Sequence, residues 1–170
     1  MSNLITVGGP PGESFKMANT LTTVFVEVLT LAGSAGASTD HERDLVVWLA
    51  SHDQAVAGRG AVDLELDAMP WVDLDEDRTF LRSTVDAAAD RHEGWDRADL
   101  HPDLGSLLPA LAAFVSLLDV LQASMLRASI HVARRAAPPG YPMCPQHLVL
   151  LHQWGCVICN ASSVDPPPRI

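Results

Sequence analysis

The stretch from Cys144 to Asn160, CPQHLVLLHQWGCVICN, limits the possible folds most strongly, because it holds all three cysteines of the 170 residues. Two residues separate Cys144 from His147, and two separate Cys156 from Cys159. Such a gap lets both side chains of a pair reach one metal ion at about 2.0 to 2.3 Å. The intervening residues suffice for a short hairpin that returns the second pair to the first. The sequence therefore predicts one metal site with these four residues as ligands.

Three thiolates and one imidazole fill all four positions of a tetrahedral ion, and this donor set suits zinc. A closed shell is typical of structural sites, whereas catalytic zinc keeps one position for water. The stretch is too short to bury a core of its own, so we expect it to fold only with its metal. Zinc is the predicted cofactor, in a structural role.

Two alternatives to this ligand set follow from the same stretch. His152 competes with His147 for the fourth position, although it would need a seven-residue gap from Cys144. Cys156 and Cys159 also have the CxxC spacing of a redox dithiol, but the βαβ setting of such dithiols is not indicated nearby. We favour His147, because it reproduces the two-residue gap.

The order Cys144-Pro145-x-His147, followed by Gly155-Cys156 and Cys159-Asn160, resembles the two knuckles of a zinc ribbon or short zinc finger. The resemblance covers only residues 144–160, and it departs from the commonest pattern in its histidine and its very short spacer. It implies metal-binding turns shaped by proline and glycine. It implies nothing about the rest of the chain.

Composition limits the class of partner. Apolar residues make up 48% of the chain, enough for one domain with a buried core. The net charge of −10 argues against nucleic acid, whose phosphates require a clustered positive surface. Reduced cysteines in a metal site fit the cytoplasm.

Periodicity predicts helices over most of the chain. Residues 19–31 follow a helical apolar template, although alternating valines also allow a strand. Thr39 and Glu42 form a capping box that begins a second helix. Asp73 caps a third helix that runs to about residue 92, and an EF-hand is excluded because Arg78 and Thr84 stand where glycine and glutamate are needed. Residues 62–67 alternate as a short strand or extended connector.

The longest predicted helix runs over residues 106–135. It is apolar on nearly every side between Leu107 and Leu121, which favours a central position in a bundle, and its uninterrupted part is too short to span a membrane. The predicted fold is therefore all-α: a bundle of about four helices with a long central C-terminal helix and an appended zinc-bound hairpin.

Four segments are predicted along the chain. Residues 1–17 form a disordered leader rich in glycine and proline, and Met17 offers an alternative start. Residues 18–137 form the helical domain, 138–162 the zinc-binding element packed on it, and 163–170 a loose tail. Lys16, an apolar run and Ala35-Gly36-Ala37 faintly imitate a secretory signal, but Glu27 and several threonines interrupt the apolar run.

The leading functional hypothesis is a zinc-stabilised helical binding or regulatory protein that acts through its interaction with another protein. The alternative is a small zinc-dependent enzyme, with chemistry at an open metal position or on a helix face holding His41, Asp44 and His52. A third hypothesis is sequence-independent nucleic-acid binding through the basic residues Arg127, His131, Arg134 and Arg135.

Overall fold

The computed structural model describes residues 2–8, 12–56, 63–90, 94–97, 100, 103–127 and 138–162. These residues form an α+β fold with a three-stranded mixed sheet, so the all-α prediction is wrong. Short 3-10 turns lie at Leu66–Ala68 and Ala123–Met125. The described strands and helices are β1 (Ser2–Val7), β2 (Glu13–Ala18), α1 (Asn19–Gly36), α2 (Asp40–Ala50), β3 (Leu64–Glu65), α3 (Leu74–Ala89), α4 (Gly94–Arg97), α5 (Leu104–Val120) and α6 (Val157–Ser162).

The sheet has the order β2-β1-β3, with β1 antiparallel to β2 and parallel to β3. The segment predicted as a disordered leader thus contributes two of the three strands. The alternation of apolar and polar residues in β1 was not recognised in the sequence, because its inward positions include a polar residue, Asn3, beside Ile5 and Val7. The Asn3 side chain is fully buried, and its amide donates to the Thr22 hydroxyl at 2.8 Å. That hydrogen bond offsets the cost of burying the amide.

Helix α1 is the central element. Every residue from Phe25 to Gly33 is buried, so this part of the helix is covered on all sides. It packs against α2, α3, α4, α5 and α6, and the ring of Phe25 meets that of Phe114 of α5 edge to face. The helix predicted over residues 19–31 is confirmed, and the strand alternative is excluded.

Threonines are compatible with the centre of α1 because their hydroxyls bond back to the helix. Thr22 donates to the carbonyl of Ala18 at 3.0 Å, and Thr30 donates to that of Val26 at 2.7 Å. Each buried hydroxyl is thereby satisfied by the backbone carbonyl four residues earlier.

The helix signals of α2 and α3 are confirmed. Thr39 accepts from the Glu42 amide while the Glu42 carboxylate accepts from the Thr39 amide, which is the predicted capping box. Asp73 accepts from the amides of Asp75 and Glu76, as expected for the cap of α3. Helix α2 ends at Ala50, and α3 ends at Ala89, a few residues before the predicted end near residue 92.

The predicted long central C-terminal helix is wrong. Helix α5 ends at Val120, and Gln122 is extended. The Arg78 side chain donates to the carbonyls of Leu118 and Leu121, so those groups are satisfied outside a continuing helix. Leu108 and Val120 are both 42% exposed, which is inconsistent with a central position. Residues 128–137 of the predicted helix and the predicted tail, 163–170, lie outside the described residues.

The segment 138–162, called the metal element below, packs on α1 and α2. The Leu150 amide donates to the Ser34 hydroxyl of α1 at 2.9 Å. The Tyr141 hydroxyl donates to the Asp44 carboxylate of α2 at 2.7 Å. Within the described residues, no helix combines the length and apolarity needed to cross a membrane.

Candidate metal centre

Two tight turns bring the predicted ligands together. In the first turn, the Leu148 amide donates to the Cys144 carbonyl, and the Cys144 amide donates to the Val149 carbonyl, both at 2.8 Å. In the second turn, Gly155 has a φ of +105°, a conformation that glycine adopts without steric cost. The chain then enters α6, which carries Cys159 in its first turn.

The side chains of Cys144, His147, Cys156 and Cys159 converge on one point. All four donor atoms lie within 4.8 Å of one another. Nδ1 of His147 lies 3.7, 3.4 and 3.3 Å from the sulfurs of Cys144, Cys156 and Cys159, respectively. The sulfurs of Cys144 and Cys159 are 3.8 Å apart. The structure therefore assembles the predicted Cys3His cluster, while the role of its members as ligands stays a prediction.

These separations fit a tetrahedral zinc ion. With zinc–sulfur bonds of about 2.3 Å and a zinc–nitrogen bond of about 2.05 Å, tetrahedral angles place two sulfurs about 3.8 Å apart and a sulfur and a nitrogen about 3.6 Å apart. The Cys144–Cys159 sulfur distance of 3.8 Å and the three sulfur–nitrogen distances of 3.3 to 3.7 Å agree with those edges, and the other two sulfur pairs lie within 4.8 Å. Four donors complete the shell, so the cluster has the form of a closed site.

Burial changes the pKa values of the four donor side chains in the metal-free protein. It raises the pKa of the Cys156 thiol to about 12, and together with the nearby Cys144 sulfur it raises the pKa of Cys159. Burial would also raise the pKa of Cys144, but hydrogen bonds from the His147 and Gln146 amides and from the other thiols lower it overall. Burial lowers the pKa of His147, which leaves its ring neutral and able to donate a lone pair. A metal must therefore displace thiol protons to bind.

His152 lies outside the cluster. Its side chain is fully buried, and its Nε2 lies 3.3 Å from Oδ2 of Asp53. At that distance the two groups attract as an ion pair when the ring is protonated, but neither ring nitrogen makes a hydrogen bond in the described part of the chain. Between the two candidates for the fourth position, the structure places His147 among the sulfurs.

Two buried acidic residues, one of which contacts the metal element, were not predicted. Glu27 of α1 and Asp53, just after α2, are 4% and 3% exposed. Burial and the negative charge of Asp53 raise the pKa of Glu27 to about 8. Asp53 also accepts a hydrogen bond from Asn160, the residue after Cys159, at 2.8 Å. A single aspartate in a loop gives no periodic signal, so the sequence did not indicate this contact.

Among the described residues, the three side chains of the helix face proposed for enzyme chemistry contact different groups. Nε2 of His41 lies 2.7 Å from the buried carboxylate of Asp77. Asp44 accepts from Tyr141, and the ring of His52 lies against Trp48 with its Nδ1 2.8 Å from the Trp48 carbonyl. The three side chains thus have three separate surroundings.

The basic segment proposed for nucleic acid is described only at Arg127. Its guanidinium contacts the carboxylates of Glu65 at 2.7 Å and Asp67 at 2.6 Å. Its charge is therefore largely neutralised within the protein. The other members, His131, Arg134 and Arg135, lie outside the described residues.

The metal element has an unusual surface. It contains no Asp, Glu, Lys or Arg, although the whole chain carries a charge of −10. Three of its large apolar side chains are exposed: Met143 by 45%, Leu148 by 48% and Trp154 by 44%. Leu148 also has a φ of +55°, in the left-handed region that side chains other than glycine disfavour.

Comparisons of the chain with protein-family models, curated proteins and solved structures found no match.

Proposed function

We propose that this chain is a zinc-stabilised binding protein, and that its metal element presents an apolar surface to another protein. Zinc would be held by Cys144, His147, Cys156 and Cys159 and would supply a crosslink between the two turns. The protein's own side chains would supply the contact surface. The proposal places the protein in the cytoplasm, where thiols stay reduced.

Leu148 is the observation that carries this proposal. Left-handed backbone costs a residue with a side chain about 1 to 2 kcal/mol, and glycine avoids that cost. The leucine side chain does not recover the cost in a core, because 48% of it is exposed. The hydrogen bond from the Leu148 amide to the Cys144 carbonyl explains the backbone conformation, but it does not require a side chain at this position, and strained backbone is typical of functional positions. We therefore assign the Leu148 side chain to contact with a partner.

The class of partner follows from charge and polarity. Met143 and Trp154 add exposed apolar area to the same element, and exposed large apolar side chains on a charge-free surface favour protein contacts. Nucleic acid would require lysine or arginine on this surface. Four protein donors also leave no metal position for a substrate.

A Leu148→Gly variant tests the proposal directly. Glycine relieves the left-handed strain but loses more conformational entropy on folding, so we expect the free energy of unfolding to change by less than about 1 kcal/mol. Val72→Ala is the matched control, because it shortens another exposed apolar side chain, 78% exposed, away from the metal element.

Wild type and both variants would be immobilised with zinc and exposed to extract of the source cells, and retained proteins would be identified by mass spectrometry. We expect a protein that binds wild type and Val72→Ala, but binds neither Leu148→Gly nor chelator-treated wild type. Retention of the same proteins by Leu148→Gly, with its fold intact by circular dichroism, would refute the proposal.

A further inference from the structure

One buried carboxylate joins the helical core to the turn that carries two of the four donors. Asp53 follows α2 and is 3% exposed. Its Oδ1 accepts from the Ala55 amide at 2.8 Å, which fixes the orientation of the carboxylate. Its Oδ2 accepts from the side-chain amide of Asn160 at 2.8 Å and lies 3.3 Å from Nε2 of His152.

The Asn160 side chain also holds the second turn closed. The same amide nitrogen donates to the Trp154 carbonyl at 3.3 Å, and the Asn160 backbone amide donates to the Cys156 carbonyl at 3.0 Å. His152, on the other side of the turn, exchanges two backbone hydrogen bonds with Gly155. Asp53 thus lies against both ends of the segment that contains Cys156 and Cys159.

We propose that Asp53 is the positioning residue of the metal centre: through Asn160 it holds α6 and the preceding turn in the geometry that places Cys156 and Cys159 for metal binding. This inference rests on the metal centre of the proposed function. It adds that the affinity for metal depends on a residue that does not touch the metal.

The physical basis is preorganisation. Without the contact, metal binding must also order the second turn, and the entropy lost in that step weakens the affinity. Partners outside the coordination shell contribute about 10- to 100-fold to metal affinity in other metalloproteins. The Asp53–Asn160 hydrogen bond is partly buried and has a carboxylate acceptor, so it belongs with the stronger hydrogen bonds of proteins.

The same contact links the metal centre to the helical core. Asp53 lies at the end of α2, so a metal that orders α6 also covers Asp53 and fixes this end of the helix. By thermodynamic linkage, if Asp53 strengthens metal binding, bound metal stabilises the end of α2 by the same free energy. Amide exchange near residue 53 should therefore slow when the metal binds.

Three variants separate this role from general stability. Asp53→Asn weakens the contact with Asn160, because the neutral amide is a weaker acceptor and its oxygen already receives the Ala55 amide. Asn160→Ala removes the contact from its other side, together with the hydrogen bond to the Trp154 carbonyl. Asp86→Asn is the control, since it removes an exposed carboxylate on α3.

Zinc affinity would be measured by competition with a chromophoric chelator, and coordination by the absorption spectrum of the cobalt-substituted protein. We expect Asp53→Asn to weaken zinc binding about 10- to 100-fold while the cobalt bands keep their positions, because all four ligands remain. We expect Asn160→Ala to lose at least as much affinity, and Asp86→Asn to match wild type.

Wild-type zinc affinity in Asp53→Asn would overturn the inference alone, and so would wild-type affinity in Asn160→Ala. If Asp53→Asn does not fold, Asn160→Ala still tests the contact, because it removes the hydrogen bond from the less buried side. Wild-type protein that binds no metal would overturn the proposed function as well, so the two failures are distinguishable.

Discussion

The buried carboxyl of Glu27 gives a quantitative test of the core. Burial and the charge of Asp53 raise its pKa from 4.5 to about 8. Between those two values the folded state holds a proton that the unfolded state has lost, so stability falls as the pH rises through this window. At about 1.4 kcal/mol for each pH unit, keeping Glu27 protonated costs about 3 kcal/mol at pH 7.

Glu27→Gln keeps the shape of the side chain and removes its titration. Burying the glutamine amide costs a free energy that does not change with pH. The pH-dependent contribution of residue 27 to stability therefore disappears. We therefore expect the stability of the variant relative to wild type to increase by about 2 kcal/mol between pH 6 and pH 8. The increase slows near pH 8, where the wild-type carboxyl begins to ionise in the folded state.

Urea unfolding at several pH values, with zinc and a reductant present, measures this difference. Glu76→Gln is the matched control, because it removes an exposed carboxylate on α3. Its free energy of unfolding should change with pH in the same way as that of wild type. Stability curves of Glu27→Gln and wild type that are also parallel over this range would show that Glu27 is not held protonated, and would refute the argument.

Three further predictions concern the packing and the metal element. Tyr141→Phe removes the hydrogen bond to Asp44 and should lower the free energy of unfolding by about 1 kcal/mol in urea titrations; no change would show that this contact does not hold the element. Gly33→Ala places a methyl group 2.7 Å from the Val46 side chain, so we expect a loss of about 1 to 3 kcal/mol in the same assay, and a neutral result would contradict the close approach of α1 and α2. Zinc affinity should rise with pH, because the raised pKa of Cys156, about 12, requires zinc to displace its proton; competition titrations from pH 6 to pH 8 test this, and a flat profile would refute it.

The sequence predicted what depends on spacing between near neighbours. The cluster of Cys144, His147, Cys156 and Cys159 follows from two short turns, and the capping box of α2 follows from a three-residue interval. Both patterns have one local geometry that satisfies them.

The features that were missed depend on contacts between distant parts of the chain. The inward face of β1 includes a polar residue, Asn3, which is tolerable because Asn19 and Thr22, on a different element, accept hydrogen bonds from its amide. The central position of α1 was hidden by Glu27 and the threonines, which pattern analysis counts as polar. The end of α5 depends on Arg78 of α3. Such partners are known only once the fold is known.

The zinc content of the protein tests the central claim most directly. Protein purified under reducing conditions without added metal would be analysed by elemental mass spectrometry together with a Cys156→Ser variant. The account predicts one zinc ion for each wild-type chain, and less zinc with faster amide exchange over residues 144–160 in the variant. Wild-type protein with no stoichiometric metal, or a variant whose metal element is equally protected, would contradict it.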